Sequence, residues 1–403
     1  MTDAAPAQMP VWPGFGLIIA AHCLGAMNLL AVLAAAPVIS ADLGLSAVQI
    51  GFLASAYSAA LAGLSIPSGR VADAIGVRAS LVLGAMVMAM GAFIFSLGLG
   101  YGGAIGGISL CGAGYSLVNP AAGRAVMMWF PADQRGTLMG IKQTGVPLGG
   151  AIGTSSALLV PLLGWQGVIG GIGATTALFG VLFLLLPAGG AAPKPQHLTL
   201  REEFATIVQL FRNPMLARNN TASGLINGAQ FILWSYLTEV LRLGAGLGLP
   251  LANACLSILH ISSIGGRLFW GWFSDRVMRG DSRGTLLIVA GIATLGLLGF
   301  LVMTPGNALV LAPVLAIILG VTACSATGVQ IALTTQSAPP AQVGGAIGYN
   351  MLATNIGGVI LPPAFGYVYD ITGSFALAWV LAASGVVLAC AMLWIDWRSP
   401  RAR

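Results

Sequence analysis

Five ionisable side chains, His22, Arg124, Lys142, His260 and Arg267, fall inside long apolar runs of this 403-residue chain. An ionisable group in hydrocarbon costs ~2.5–3.5 kcal/mol on insertion scales, so each one is a candidate for chemistry. The set is one-sided. Glu239, near the end of the seventh run, is the acid closest to a run interior, and the other ten acids fall in loops, ends or tails. Cations without buried carboxylates predict a cavity for an anion. His260, Ser263 and Arg267 are spaced i, i+3, i+7 and share one helix face. The planar fork of Arg267 suits bidentate capture of a carboxylate. The competing reading has Arg267 snorkelling to the nearby surface or pairing with Asp275.

Lys142 opens the polar triplet Lys142-Gln143-Thr144 and lies near the stripe Gly145, Gly149 and Gly153. Small residues at every fourth position let another helix pack closely. This face is therefore expected to meet the opposite half of the chain, with Lys142 pointing into the space between halves. Arg124, one turn after Pro120, is either a second anion ligand or the partner of Asp73. Uncharged polar residues near mid-run complete the expected pocket: Asn28, Tyr57, Tyr115, Asn119, Asn227, Gln230, Trp234, Gln330, Asn350 and Asn355. Such groups orient small polar ligands, and equally they make ordinary interhelical hydrogen bonds. His22 and His260 are suited to proton coupling, or are simply hydrogen-bonded within a bundle.

The elements that must position these residues are membrane helices. At 57% hydrophobic and 7% charged residues, with a mean hydropathy of +0.91, the chain has too few charges to solvate a soluble surface of its size. A spanning helix needs ~20 apolar residues. Gly, Pro and charge punctuate twelve such runs, at 15–38, 47–67, 79–99, 102–127, 137–161, 165–187, 215–240, 250–272, 284–304, 308–333, 343–368 and 374–395. The long polar break at 187–214 divides them into an N-terminal half, 1–188, a cytoplasmic linker, 189–213, and a C-terminal half, 214–403. A short amphipathic helix is expected near 200–211. Of 17 Lys and Arg, 13 fall in loops, tails or, for Arg218, the first turn of a run on one side, three lie deeper in spans, and Arg242 falls outside. That asymmetry places both termini in the cytoplasm. It also explains the net charge of +6 without a nucleic-acid partner. All five cysteines lie in apolar runs and read as packing residues. The N-terminus has no basic region ahead of a cleavage site, so the first span is expected to be retained.

Two motifs repeat. Gly69-Arg70-Val71-Ala72-Asp73-Ala74-Ile75-Gly76-Val77-Arg78 sits between the second and third runs, and Gly69 and Asp73 return as Gly271 and Asp275 at an offset of 202, with Arg276 following. Pro131, Gly136, Gly140, Gly149 and Gly150 return as Pro339, Gly344, Gly348, Gly357 and Gly358, at a constant offset of 208. An internal repeat of this kind marks two halves of common architecture. Gly69 is expected to let its helix end approach another backbone. Asp73 suits a helix N-terminus or an arginine partner.

Gly-x-x-x-Asp-x-x-Gly-x-Arg between a second and third span resembles the loop signature of the major facilitator superfamily. The resemblance covers nearly the whole chain. It implies an all-α membrane protein of twelve transmembrane helices in two pseudo-symmetric six-helix halves, with substrate held between them near mid-membrane. It further implies that the halves rock about that site and that the aspartate motifs (Gly69, Arg70, Asp73, Gly76, Arg78; Gly271, Asp275, Arg276) latch the cytoplasmic side when the cavity faces outward. The segment 266–275 looks like the eighth span of oxalate/formate- and monocarboxylate-type members, in which an eighth-span arginine binds the organic anion. Three departures stand out. The usual fourth-span arginine is replaced by Ile108, the antiporter signature at 144–150 is imperfect, and the eleventh-span lysine of the oxalate exchangers is replaced by Asn350 or Asn355.

The expected function is secondary active transport of a small anion, a carboxylate favoured, by proton symport or anion exchange. The expected site is Arg267, Lys142, Arg124, Asn28, Tyr57, Asn119, Asn227, Gln230, Trp234, His260, Gln330 and Asn350. The expected setting is a monomer in the plasma (inner) membrane, with the lipid bilayer, a small solute and protons as its partners. Proton-coupled efflux of hydrophobic or cationic drugs is the alternative, supported by the aromatic and Met content. A non-transporting sensor is a third reading, disfavoured by the repeated motifs. No phosphate loop, metal cluster or cofactor motif is present, and no constellation supports an enzyme.

Overall fold

A computed structural model describes residues 11–131, 135–187, 210, 212–338 and 343–398. Every regular element among them is helical, and the helices form the twelve spans. In the first half three spans break just ahead of a proline, because its ring clashes with the carbonyl four residues earlier and it lacks an N–H. The first span is Val11–Ala34 followed by Ala36–Leu43, bent just before Pro37. The fourth is Gly100–Ser116 and Val118–Trp129, interrupted at Leu117 ahead of Pro120. The fifth is Arg135–Lys142 and Gly145–Ser156, interrupted ahead of Pro147. It runs on into Val160–Leu182, which turns a corner at Gly164 (φ 67°) to become the sixth. In the second half the seventh span is Pro214–Glu239 and the eighth Leu249–Trp272. The ninth is Ser282–Leu298, and the tenth is split into Ala308–Val321 and Thr327–Ser337. The eleventh and twelfth are Val343–Thr372 and Phe375–Arg398.

The second and third spans form one helical run, Ala47–Ser96, turned at Gly76 with φ 82° and ψ 174°. A residue with a Cβ is strained there, and glycine is not. The aspartate motif is therefore the last turns of a helix plus its corner, and not the loop its charge suggested. Asp275 likewise sits in the terminal helical turn Phe273–Val277. The linker expected at 189–213 and its amphipathic helix lie outside the described residues, apart from 210, 212 and 213.

Glycines decide which helices touch. A Cβ on Gly145, Gly149 or Gly153 would run into the first span at Ile19, His22, Cys23 and Met27. The stripe thus binds the fifth span to the first span of its own half, which corrects the expectation that it meets the other half. The residue that does face across is Gly150, against the His260 ring of the eighth span. Ser155 and Ser257 hydroxyls join the same two spans at 3.2 Å. A second seam joins the second and eleventh spans. Gly51 lies on Pro362 and Pro363, and Ser55 Oγ donates to Val359 O at 2.6 Å. Tyr236 OH reaches Ala47 O at 2.7 Å.

Both seams lie at one end of the molecule. Toward the other end the helices diverge, and a Cβ at Gly69, Gly140, Gly271 or Gly348 would meet nothing within 4 Å. The halves are closed at the end of Ala47 and Asp370 and parted at the end of the two aspartate motifs.

Candidate functional site

A cavity of about 510 Å³ occupies the space between the parted halves, within the range of small-molecule sites. Eight spans line it: the first, second, fourth and fifth from one half, and the seventh, eighth, tenth and eleventh from the other. Of the residues expected at the site, Tyr57, Asn119, Lys142, Asn227, Gln230, Trp234, Arg267 and Asn350 are brought together on its walls, with Tyr115 and Asn355 beside them. The two cations face it from opposite halves. Among the described residues, no Asp or Glu lines it.

The split in the tenth span positions Arg267. Between Val321 and Thr327 the helical hydrogen-bond ladder is broken, which frees carbonyls for the eighth span. Trp270 Nε1 donates to Val321 O at 2.6 Å, and Arg267 Nη2 donates to Cys324 O at 3.3 Å. Gly266 allows this approach, since a Cβ there would meet the Val321 backbone. The guanidinium is thereby held in the cavity wall. Its Nε is buried with no partner among the described residues, leaving donor capacity for a ligand.

Lys142 is buried and donates from Nζ to Asn119 Oδ1 at 3.2 Å, a bond from the fifth span to the fourth. The same Oδ1 lies 3.1 Å from His22 Nε2 of the first span. Tyr57 OH donates to Gly25 O at 2.9 Å and its ring stacks on Tyr115 at 6.2 Å. Phe231 and Trp234 pack at 5.0 Å and supply the aromatic wall of the second half. Asn350 Nδ2 donates to Asn220 Oδ1 at 2.9 Å. The amide oxygens of Asn227 and Gln230 are buried without partners among the described residues.

Four expected site residues are elsewhere. Arg124 is the partner of Asp73: its Nη1 lies 2.8 Å from Asp73 Oδ1 and 3.0 Å from Asp73 O. The end of the second span comes close enough to neutralise it, so Arg124 is a strut within the first half and not a wall of the cavity. Asn28 is spent on Leu24 O and Thr176 Oγ1, both at 2.9 Å, tying the first span to the sixth. Gln330 is fully buried against the seventh span, with Nε2 at 3.5 Å from Ser223 O. His260 is buried at the seam, under Gly150 and 5.6 Å from the Trp234 ring. It shares its helix face with Ser263 and Arg267, as the spacing predicts, but lies beyond the cavity's closed end.

Among the motif residues, Asp73 and Gly76 act within the first half, while Arg70 and Arg78 are half-buried at the same end. Asp275 and Arg276 are exposed. Gly69 and Gly271 pack against nothing, so the close approach expected of Gly69 is absent in this conformation.

The cavity also takes in Ser65, Ser116, Thr327 and Thr354, which the sequence did not single out. Hydroxyls in helices commonly bond their own backbone, as Ser116 does to Ala113 O at 2.6 Å and Thr354 to Met351 O at 2.9 Å. Their types therefore carry no signal of a binding wall.

Comparison with known proteins agrees with this architecture. A hexuronate transporter of Bacillus subtilis (strain 168) is 25% identical over 376 residues, covering 88% of this chain and 87% of the relative. Monocarboxylate transporter 13 of Rattus norvegicus is 28% identical over 289 residues, covering 69% and 65%. The fold matches a crystal structure of a bacterial homologue of the human lysosomal transporter Spinster in an inward-facing, unoccupied conformation. That match has a TM-score of 0.79 at 16% identity, over 97% of this chain and 98% of that one. The family model of the Major Facilitator Superfamily matches residues 17–324. A twelve-span chain with this repeat, this central cavity and this match belongs to the Major Facilitator Superfamily.

Proposed function

We propose that the chain is a secondary transporter for a small organic anion, a carboxylate above others, that moves it by alternating access in the plasma membrane. The observation that carries this reading is the charge of the cavity: Lys142 and Arg267 face it from opposite halves, and among the described residues no carboxylate lines it. In a low-dielectric cleft two such cations attract an anion far more strongly than they would in water. The guanidinium can meet a carboxylate with two parallel hydrogen bonds, and Lys142 adds a point charge. A ligand touching both bridges the halves, which is how binding becomes coupled to their movement. The relatives named for hexuronate and monocarboxylates carry the same functional group.

The two halves, 1–188 and 214–403 joined through 189–213, rock about this site in a monomer. With both termini in the cytoplasm, the parted end is the cytoplasmic one and the described conformation is inward-open. The aspartate motifs then approach one another when the cavity turns outward. Coupling is by proton symport or anion exchange.

A thermal-shift screen of the purified protein tests the substrate class, setting mono- and dicarboxylates against lipophilic cations. A ligand at 100 times its Kd stabilises by roughly 2.7 kcal/mol. Carboxylates are expected to stabilise the wild type. Arg267→Gln should weaken their binding roughly ten- to hundredfold, the equivalent of the ~1.5–3 kcal/mol of a charged hydrogen bond. Lys142→Gln should weaken it in the same direction. Stabilisation by lipophilic cations alone overturns the reading in favour of proton-coupled efflux, for which Phe231, Trp234, Met139 and Met351 would be the contact surface.

A further inference from the structure

We propose that His22, Asn119 and Lys142 form the proton-holding site that couples anion movement to proton movement, with the proton carried on His22 Nε2. This rests on the anion reading above and adds to it the residue that titrates.

Both ring nitrogens of His22 face acceptors. Nδ1 lies 3.1 Å from the Ile18 carbonyl and Nε2 lies 3.1 Å from Asn119 Oδ1. A neutral imidazole has one N–H, so it satisfies one of these contacts and sets a lone pair against an oxygen at the other. The imidazolium satisfies both. Turning the Asn119 amide would relieve the neutral ring by presenting Nδ2 to Nε2, but the position of that oxygen is already fixed by Lys142, whose Nζ donates to it at 3.2 Å. With its two lone pairs the amide oxygen can accept from both groups at once. Either His22 is charged and all three contacts are satisfied, or His22 is neutral and one contact is lost: that of Nδ1 with the Ile18 carbonyl, or, if the amide turns, that of Lys142 with Asn119 Oδ1.

The charged arrangement places an imidazolium and an ammonium on the same oxygen in a buried site, and like charges at this range repel. Lys142 faces the cavity, whereas His22 is fully buried behind Asn119. An anion on Lys142 offsets the second charge, so anion and proton bind together and reinforce each other. On loading, a hydronium ion in the cavity gives its proton to the Nε2 lone pair and is left as water, the Asn119 amide swinging aside to admit it and returning to accept from both cations. On release the same bond breaks and the proton returns to cavity water.

The remaining titratable groups around the ring are accounted for. Tyr115 of the fourth span meets it edge-on at 6.2 Å, and Cys23 follows it on its own helix. Tyr57 stacks on Tyr115 from the second span, and Arg267 faces the cavity from the eighth. Lys142 is the charged group joined to His22 through a shared acceptor, Asn119 Oδ1.

The test is the pH dependence of carboxylate affinity, with a pH indicator reporting proton uptake on binding. In the wild type, affinity should fall as pH rises, by about tenfold per pH unit above the His22 transition, with about one proton taken up per anion. In His22→Gln, which keeps a polar side chain at the position, the slope should flatten and the uptake vanish. A slope that persists in His22→Gln overturns the proposal. A second measurement needs no ligand: the 15N spectrum of the histidine rings between about pH 5 and 8, in the wild type and in Lys142→Met. Removing the neighbouring ammonium should move the His22 titration to higher pH, and no movement overturns the proposal. If the wild type binds no carboxylate, the substrate reading fails, and the Lys142→Met comparison still decides the proton site.

Discussion

Asp370 is placed to hold the closed end shut. Its two carboxylate oxygens accept from the backbone N–H groups of Ala47 and Val48, at 3.0 and 2.9 Å. A helix leaves its first N–H groups without partners and carries partial positive charge there. Ser46 Oγ takes Gln49 N–H at 3.4 Å, so the eleventh span supplies the caps that the second span's own residues do not. The contact joins the two halves at the closed end, and alternating access as proposed would break it when this end opens. Its contribution therefore falls on the equilibrium between the two conformations and not on folding alone. Asp370→Asn keeps one acceptor oxygen and loses the charge. For an exposed helix cap that costs about 1 kcal/mol, roughly a fivefold shift toward the state open at this end. Asp370→Ala loses both bonds and should cost about 2 kcal/mol, roughly thirtyfold. Spin labels at Ala41→Cys and Ile371→Cys, in a background with the native cysteines replaced, report the separation of the halves there, since both positions are exposed. The long-distance population should grow from wild type to Asn to Ala. Unchanged distributions in both variants, with a lowered melting temperature, would show that the clasp serves both states equally and refute the argument.

Two further predictions concern the glycines and the aspartate motif. Gly149→Ala forces a methyl into the Cys23 backbone and should lower stability by about 1–3 kcal/mol, read as a lower melting temperature. Gly69→Leu meets nothing in the described conformation and should melt like the wild type. Its cost should appear in turnover, because the leucine obstructs the approach of the motif ends when that side closes. Asp73→Asn weakens the pair with Arg124, partly exposed and worth about 1 kcal/mol. It should cut turnover while leaving carboxylate affinity within about twofold of wild type, as expected of a pair outside the cavity. An affinity loss without a turnover loss would remove Asp73 from the gate.

The spans were legible in the sequence because each needs a long apolar run, whereas the break in the tenth span that positions Arg267 has no proline at it and was not. The helical character of the motif at 69–75 was not legible, since charge and small residues look alike in a loop and in a helix end. Lys142 and Arg267 were found because a cation in an apolar run is rare. Arg124 has the same signature and a different fate, decided by how near the second span's end comes to the fourth. That distance belongs to the packing and leaves no mark on the residues themselves. Asn28 and Gln330 illustrate the same limit, because an amide committed to a neighbouring helix and one offered to a ligand have the same side chain. The sequence revealed which residues could act, and the helix contacts selected among them.

The paired glycines show how the repeat becomes a mechanism. Gly149 and Gly357 stand at equivalent places in the two halves, and each is pressed against the backbone of its own half, at Cys23 in the first span and at Gly224 in the seventh. The next residue in each pair turns outward. Gly150 faces His260 of the eighth span, and a Cβ on Gly358 would come within 3.0 Å of Ser58 Oγ of the second, as well as meeting Phe231 of the seventh. One glycine thus fixes a helix rigidly within its half, and its neighbour presents a smooth surface to the other half. Backbone-to-backbone packing without side chains to interdigitate resists separation inside a half and permits rotation between halves. The pivot therefore sits beside the rigid contact. The fifth span that carries Gly149 and Gly150 also carries Lys142, two turns away toward the open end. On the proposed reading, a ligand drawing Lys142 toward Arg267 would act on a helix already anchored to the first span, and the first half would move with it as a body, about the surface that Gly150 provides.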